Sequence, residues 1–157
     1  MLEELSVFTK TIDEAVLLEL NVAKLYELFS EHFPEDRNFW MKLVSEENNH
    51  ANLLISVKEI VSVSLEIPTE ILPENYDLLK IANQKTLSIT EEFIKQPNRK
   101  SAFLLAIELE KVAGELHFQN AMNEKPSSEL ARVYQELNQD DIDHSERIFQ
   151  YMTEKKI

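Results

Sequence analysis

The chain has 157 residues, which suits one domain and leaves no room for a second of ordinary size. Gly occurs once, Pro five times and Cys never, with 43% apolar and 29% charged residues. Such a composition excludes a disordered chain, disulfides, zinc ribbons, iron–sulfur clusters and a thiol nucleophile, and the scarcity of Gly argues against hairpins and phosphate loops. The net charge is −13, from 16 basic and 29 acidic residues, and no basic stripe is present. Nucleic acid and anionic membrane are therefore not expected as partners. The first residues, MLEELSVFTK, carry acids where a signal peptide needs a basic head, and no apolar run approaches the ~20 residues of a membrane span. A cytoplasmic protein is expected.

In chain order, residues 5 to 33 carry Ile12, Ala15, Val16, Leu20, Val22, Ala23, Tyr26 and Phe29 at helical spacing. Pro34 ends that helix, and Pro34-Glu35-Asp36 forms a turn whose negative charge suits the start of the next. A second helix runs from about 36 into the low 60s, with Trp40, Leu43, Val44, Ala51 and Leu54 on one side. The stretch Ile60 to Leu72 is β-branched and interrupted by Pro68 and Pro73, so it reads as a helix end and an extended connection. One or two short helices follow over 75–96, broken near Thr86 to Ser88. A third long helix spans about 100–122, Pro126 takes the first position of a fourth, and that helix fills about 127–154.

The expected fold is all-α: one ferritin-like four-helix bundle over 1–157, with hairpins at about 5–62 and 100–154 and a crossover at about 63–99. Each main helix has a carboxylate in the middle of its apolar stripe. Helix one reads Ile12, Val16, Glu19, Val22, Tyr26; helix two reads Trp40, Leu43, Glu47, His50, Leu54. Helix three reads Phe103, Ile107, Glu110, Ala113, His117, and helix four reads Leu137, Asp141, His144, Ile148. Unpaired core carboxylates cost several kcal/mol or protonate. A pair of divalent ions would balance four of them, and an acid-x-x-His on one helix face can share an ion. The two halves repeat this order: Glu19 precedes His50 by 31 residues and Glu110 precedes His144 by 34. A duplicated helical hairpin is implied.

These residues give the chain its resemblance to rubrerythrin and the ferritin-like di-iron carboxylate proteins. The match lies in Glu19 with Tyr26 seven later, Glu47-x-x-His50, Glu110 and Asp141-x-x-His144, and in the wording ELNVAKLY and LEKVAGELH. It covers the four main helices and omits residues 60–97. The resemblance implies iron ligation by Glu19, Glu47, His50, Glu110, Asp141 and His144. It places Tyr26 behind a ligand carboxylate and His117 at the corresponding position of the second half. Three features depart from the family. Asp141 stands where Glu is usual and is shorter by about 1.5 Å. Ile107 and Ala113 occupy the places of rubrerythrin's additional glutamate, and the four-cysteine electron-donating domain is missing.

The implied function is redox chemistry at two iron ions, with Mn or a mixed Mn/Fe pair satisfying the same ligands. Peroxide, O2 or Fe²⁺ would be the substrate, and a peroxidase of this kind would need a separate electron donor. The contrasting expectation is a metal-poor bundle of the same fold that serves as a scaffold. A homodimer through apolar helix faces is expected, with residues 60–97 as the candidate contact.

Overall fold

The computed structural model describes residues 2–67, 76–116 and 125–157, except the side chains of residues 112–116, 134, 138 and 140–142. Among the described residues all regular structure is helical. The elements are α1 (Leu2–His32), a 3-10 turn (Pro34–Asp36), α2 (Arg37–Ser64), α3 (Tyr76–Lys95), α4 (Arg99–Leu116) and α5 (Glu129–Lys155). At 31 residues α1 is ~46 Å long. No helix among the described residues is long and apolar enough to cross a membrane.

The helix ends follow from the local sequence. Phe33 is forced out of helical geometry by Pro34, at φ −125° and ψ 77°, while its amide still donates to the Phe29 carbonyl at 2.9 Å. With the only Gly at position 114, α2 and α5 stop instead on left-handed Leu65 (φ 57°) and Lys156 (φ 55°). Each of these carries roughly 1–2 kcal/mol of backbone strain that Gly would not.

The structure departs from the sequence-based expectation in two places. First, α3 is one unbroken helix through Thr86 to Ser88. Leu79, Ala82, Asn83, Thr86 and Phe93 share its buried face, and the Thr86 hydroxyl donates to the Ala82 carbonyl at 2.8 Å. A hydroxyl satisfied inside its own helix removes the reason to break there. Second, α5 starts at Glu129, and its cap is Ser128, whose Oγ accepts from the Ala131 amide at 3.1 Å. Pro126 therefore precedes the cap, because a hydroxyl that satisfies an orphan amide outranks a residue that merely lacks one. The expected helix three reaches Leu116; residues beyond it to 124 lie outside the described part.

α1 packs most extensively on α2, and α4 on α5; α3 lies against α1 and α4, and α2 also meets α5. The antiparallel register of α1 and α2 shows in successive pairs. Asp13 meets Lys58 at 2.5 Å, Glu19 meets His50 at 3.4 Å, and the Tyr26 and Trp40 rings lie 5.5 Å apart. In the second hairpin Glu110 meets His144 at 3.3 Å, and the Phe103 and Tyr151 rings are 5.7 Å apart. Asn83 fastens α3 to α1, donating to the Glu14 carbonyl at 3.0 Å and its carboxylate at 2.9 Å. Apolar side chains fill both sides of a polar middle: Phe8, Ile12, Leu54 and Val61 towards one end, and Tyr26, Phe29, Trp40 and Phe103 towards the other. Burying each large one contributes roughly 1.5–3 kcal/mol.

A polar clamp joins the hairpins at the aromatic end. Asp36, which leaves the α2 amides uncapped, is 1% exposed. It accepts from Arg99 Nε at 2.7 Å and Nη2 at 2.8 Å, and from the Tyr151 hydroxyl at 3.0 Å. Its carboxylate holds the Arg99 guanidinium above the usual range. Arg99→Met would strand a buried carboxylate, so a loss of about 2 kcal/mol is expected in urea denaturation. Lys58→Met, which opens the more exposed Asp13 pair, should cost under about 0.5 kcal/mol. Equal losses would show that the Asp36 clamp has no special weight.

Candidate metal centre

Four helices each supply part of one buried cluster: Glu19 from α1, Glu47 and His50 from α2, Glu110 from α4 and His144 from α5. All five residues are at most 3% exposed. His50 Nδ1 lies 3.4 Å from Glu19 Oε2 and 3.4 Å from Glu47 Oε2. His144 Nδ1 lies 2.9 Å from Glu47 Oε1 and 3.3 Å from Glu110 Oε2. The two imidazoles stack with centroids 5.3 Å apart and planes 16° apart. Two ligand triads result among the described residues, Glu19–Glu47–His50 and Glu47–Glu110–His144, each with donor atoms within 4.8 Å of one another. Glu47 belongs to both, one carboxylate oxygen turned to each histidine.

Burial and mutual repulsion govern the ionisation of this cluster. Burial first, and then the neighbouring Glu110 charge, push the Glu47 carboxyl up to about 8 against the pull of both histidines. Burial depresses His50, but Glu19 and Glu47 outweigh it and hold the imidazole up to about 12. The same contest, with Glu110 and Glu47 winning over burial, holds His144 up to about 10. All three shifts run the same way: the metal-free cluster holds its protons more tightly than the free side chains would.

The donor set fits a divalent ion of the borderline kind. It offers carboxylate oxygens and imidazole nitrogens and no sulfur. Glu47 Oε1 and His144 Nδ1 are buried and close, yet neither makes a hydrogen bond of acceptable angle among the described residues. Buried polar atoms left in this state call for an explanation, and a cation is one that answers for both atoms.

The surrounding contacts orient the cluster. The Tyr26 hydroxyl donates to Glu110 Oε1. Glu46 Oε2 lies 3.1 Å from His144 Nε2 and accepts from Arg147 Nη1 at 2.8 Å. A histidine whose far nitrogen faces a carboxylate has its near nitrogen directed as the donor. Sequence reading missed Glu46. One residue from Glu47 on a helix is a turn of ~100°, which takes it off the inward stripe. Only the position of α5 makes it relevant, and the doubled acid Glu46-Glu47 was its sole trace. Asp141 lies on α5 one turn before His144, with its side chain outside the described part, and His117 lies outside the described residues altogether.

The raised ionisations give a pH dependence with a definite sign. A folded-state value above the unfolded one means that the native state holds more protons, so its stability falls as pH rises through that interval. For Glu47 the interval runs from 4.5 to about 8, for His144 from 6.5 to about 10, and for His50 from 6.5 to about 12. Chelator-treated protein should therefore melt lower at pH 9 than at pH 6, by roughly 5 °C or more. In Glu47→Gln the slope should be shallower. An unchanged melting temperature across that range would remove the buried protons from the account.

Comparison of the chain with protein-family models, with curated proteins and with solved structures finds no match.

Proposed function

We propose that the chain is a ferritin-like four-helix bundle of the rubrerythrin kind, holding two metal ions and using them to reduce hydrogen peroxide or to oxidise Fe²⁺. The observation that carries this reading is the position of Glu47, shared by two triads that each contain one histidine and one further glutamate. Glu19 and His50 would hold one ion, Glu110 and His144 the other, and Glu47 both. Asp141 would add a further carboxylate from α5. The bound ions, iron or manganese, would supply two electrons at one place, the number that peroxide requires.

The chain's own residues do the rest. The five buried side chains would hold the ions away from bulk water. Three of them give up protons as ions bind, so uptake becomes more favourable as pH rises, opposite in sign to the stability of the metal-free protein. The Tyr26 hydroxyl holds one Glu110 oxygen and thereby turns the other towards His144. Glu46 does the same for the His144 ring.

One observation favours a second reading, a metal-poor scaffold of the same fold. Glu47, His50 and His144 all hold protons more tightly than usual, so protons can stand in the cluster where cations would. Metal counting separates the two readings. Anaerobic loading with Fe²⁺, desalting and elemental analysis should give about two ions per chain, and Glu47→Ala should lose both because both triads contain it. One ion per chain would reduce the site to a mononuclear centre. None, in a helical protein, would leave the scaffold.

A further inference from the structure

The aromatic groups beyond Glu110 form a continuous chain from the buried cluster to the surface. The Tyr26 ring, whose hydroxyl donates to Glu110, lies 5.5 Å from Trp40. Two bridges lead on. The Phe39 ring is 5.3 Å from Trp40 and stacks on Tyr151 at 4.0 Å, while Phe103 is 4.4 Å from Trp40 and 5.7 Å from Tyr151. Tyr26 and Trp40 are fully buried, whereas Tyr151 is half-buried and reaches solvent.

The polar ends of these rings differ in a way that packing alone does not require. Each tyrosine hydroxyl donates to a carboxylate, Tyr26 to Glu110 and Tyr151 to Asp36 at 3.0 Å. The Trp40 Nε1 is buried with no hydrogen-bond partner among the described residues. Buried tryptophan N–H groups usually find an acceptor. A phenol oxidised beside a carboxylate can hand over its proton along an existing hydrogen bond. An indole with no acceptor keeps its proton and stays a transient cation.

We propose that Tyr26, Trp40 and Tyr151 form a one-electron relay that carries reducing equivalents from the surface at Tyr151 to the buried cluster. It rests on the redox reading above for its oxidant, which is hydrogen peroxide reduced at the cluster. One electron leaves the Tyr26 ring towards the cluster, and the hydroxyl proton moves to Glu110. Trp40 then gives one electron to the Tyr26 radical, which takes its proton back from Glu110. Tyr151 gives one electron through Phe39 or Phe103 to the Trp40 cation, and its proton moves to Asp36. An external one-electron donor reduces the Tyr151 phenoxyl radical, and the proton returns from Asp36. Two such passages, with two protons from solvent, turn one peroxide into two waters.

The relay can be tested without metal, because Trp40 is the only tryptophan and the chain has four tyrosines. A near-ultraviolet laser flash ejects an electron from Trp40 in the chelator-treated full chain, with a pentaammine cobalt(III) salt in solution to capture it. The tryptophanyl absorption should decay as a phenoxyl absorption rises. Tyr151→Phe should lose the part of the phenoxyl signal that an added ascorbate reduces quickly, and Tyr26→Phe with Tyr151→Phe should lose it entirely, while Tyr76→Phe changes nothing. Phe keeps each ring in place, and a helical circular dichroism spectrum checks the fold. Wild type that forms no phenoxyl as the tryptophanyl signal decays, or a double variant that keeps the full signal, would overturn the relay. Metal uptake by the same preparation decides the redox reading separately, so either idea can fail alone.

Discussion

The whole arrangement depends on burying the Glu47 carboxylate between two imidazoles and two further carboxylates. In a low-dielectric interior an unbalanced charge there would cost several kcal/mol, a large share of a net stability on the order of 10 kcal/mol. Balance is available in two forms from the same five side chains. Protons held tightly on Glu47, His50 and His144 offset the buried negative charge, or cations would take their place. Both forms need donors held a few ångströms apart by stiff backbone. Long uninterrupted helices with one Gly in the whole chain meet that requirement, as do apolar layers on either side of the cluster.

The Asp36 clamp explains how four helices arrive at the same level. Asp36 and Arg99 are bonded at one end of the molecule, and α2 and α4 both run away from that end. Glu47 is eleven residues beyond Asp36, and Glu110 is eleven residues beyond Arg99. Equal offsets of ~16 Å put the two carboxylates level, and both indeed meet His144 Nδ1. Tyr151, bonded to the same Asp36, lies two turns after His144 on the helix that returns. A slip of one turn in α5 would displace His144 by about 5.4 Å and break its approach to both glutamates. The clamp is thus a ruler for the cluster as well as a tie between hairpins.

What is legible in the sequence is what each helix decides for itself. The inward aim of Glu19, Glu47, His50, Glu110 and His144 follows from their places in apolar stripes, because helical periodicity is local. The break at Pro34 is legible for the same reason. Contacts between helices are not local. Glu46 faces away from its own helix's stripe and matters only through α5. Asp36 reads as a favourable charge at a helix start, yet its carboxylate turns to Arg99, sixty-three positions on. The misplaced break in α3 has a different origin. Thr86 and Ser88 have low helix preference on their own, but the buried face through Thr86 outweighs it, and the Thr86 hydroxyl is satisfied inside the helix.

The two sides of the cluster differ in access. Tyr26, behind Glu110, is sealed among Phe29 and Trp40. Glu46 and Arg147, behind His144, are each 28% exposed at the side chain, so among the described contacts of the cluster this pair between α2 and α5 reaches solvent. Electrons moving along the proposed relay would use the Tyr26 side, through rings that exclude water. Separating the two sides has a chemical consequence: the inner part of the aromatic path, Tyr26 and Trp40, would stay dry and shield its radical intermediates from solvent, with exchange left to Tyr151 at the surface.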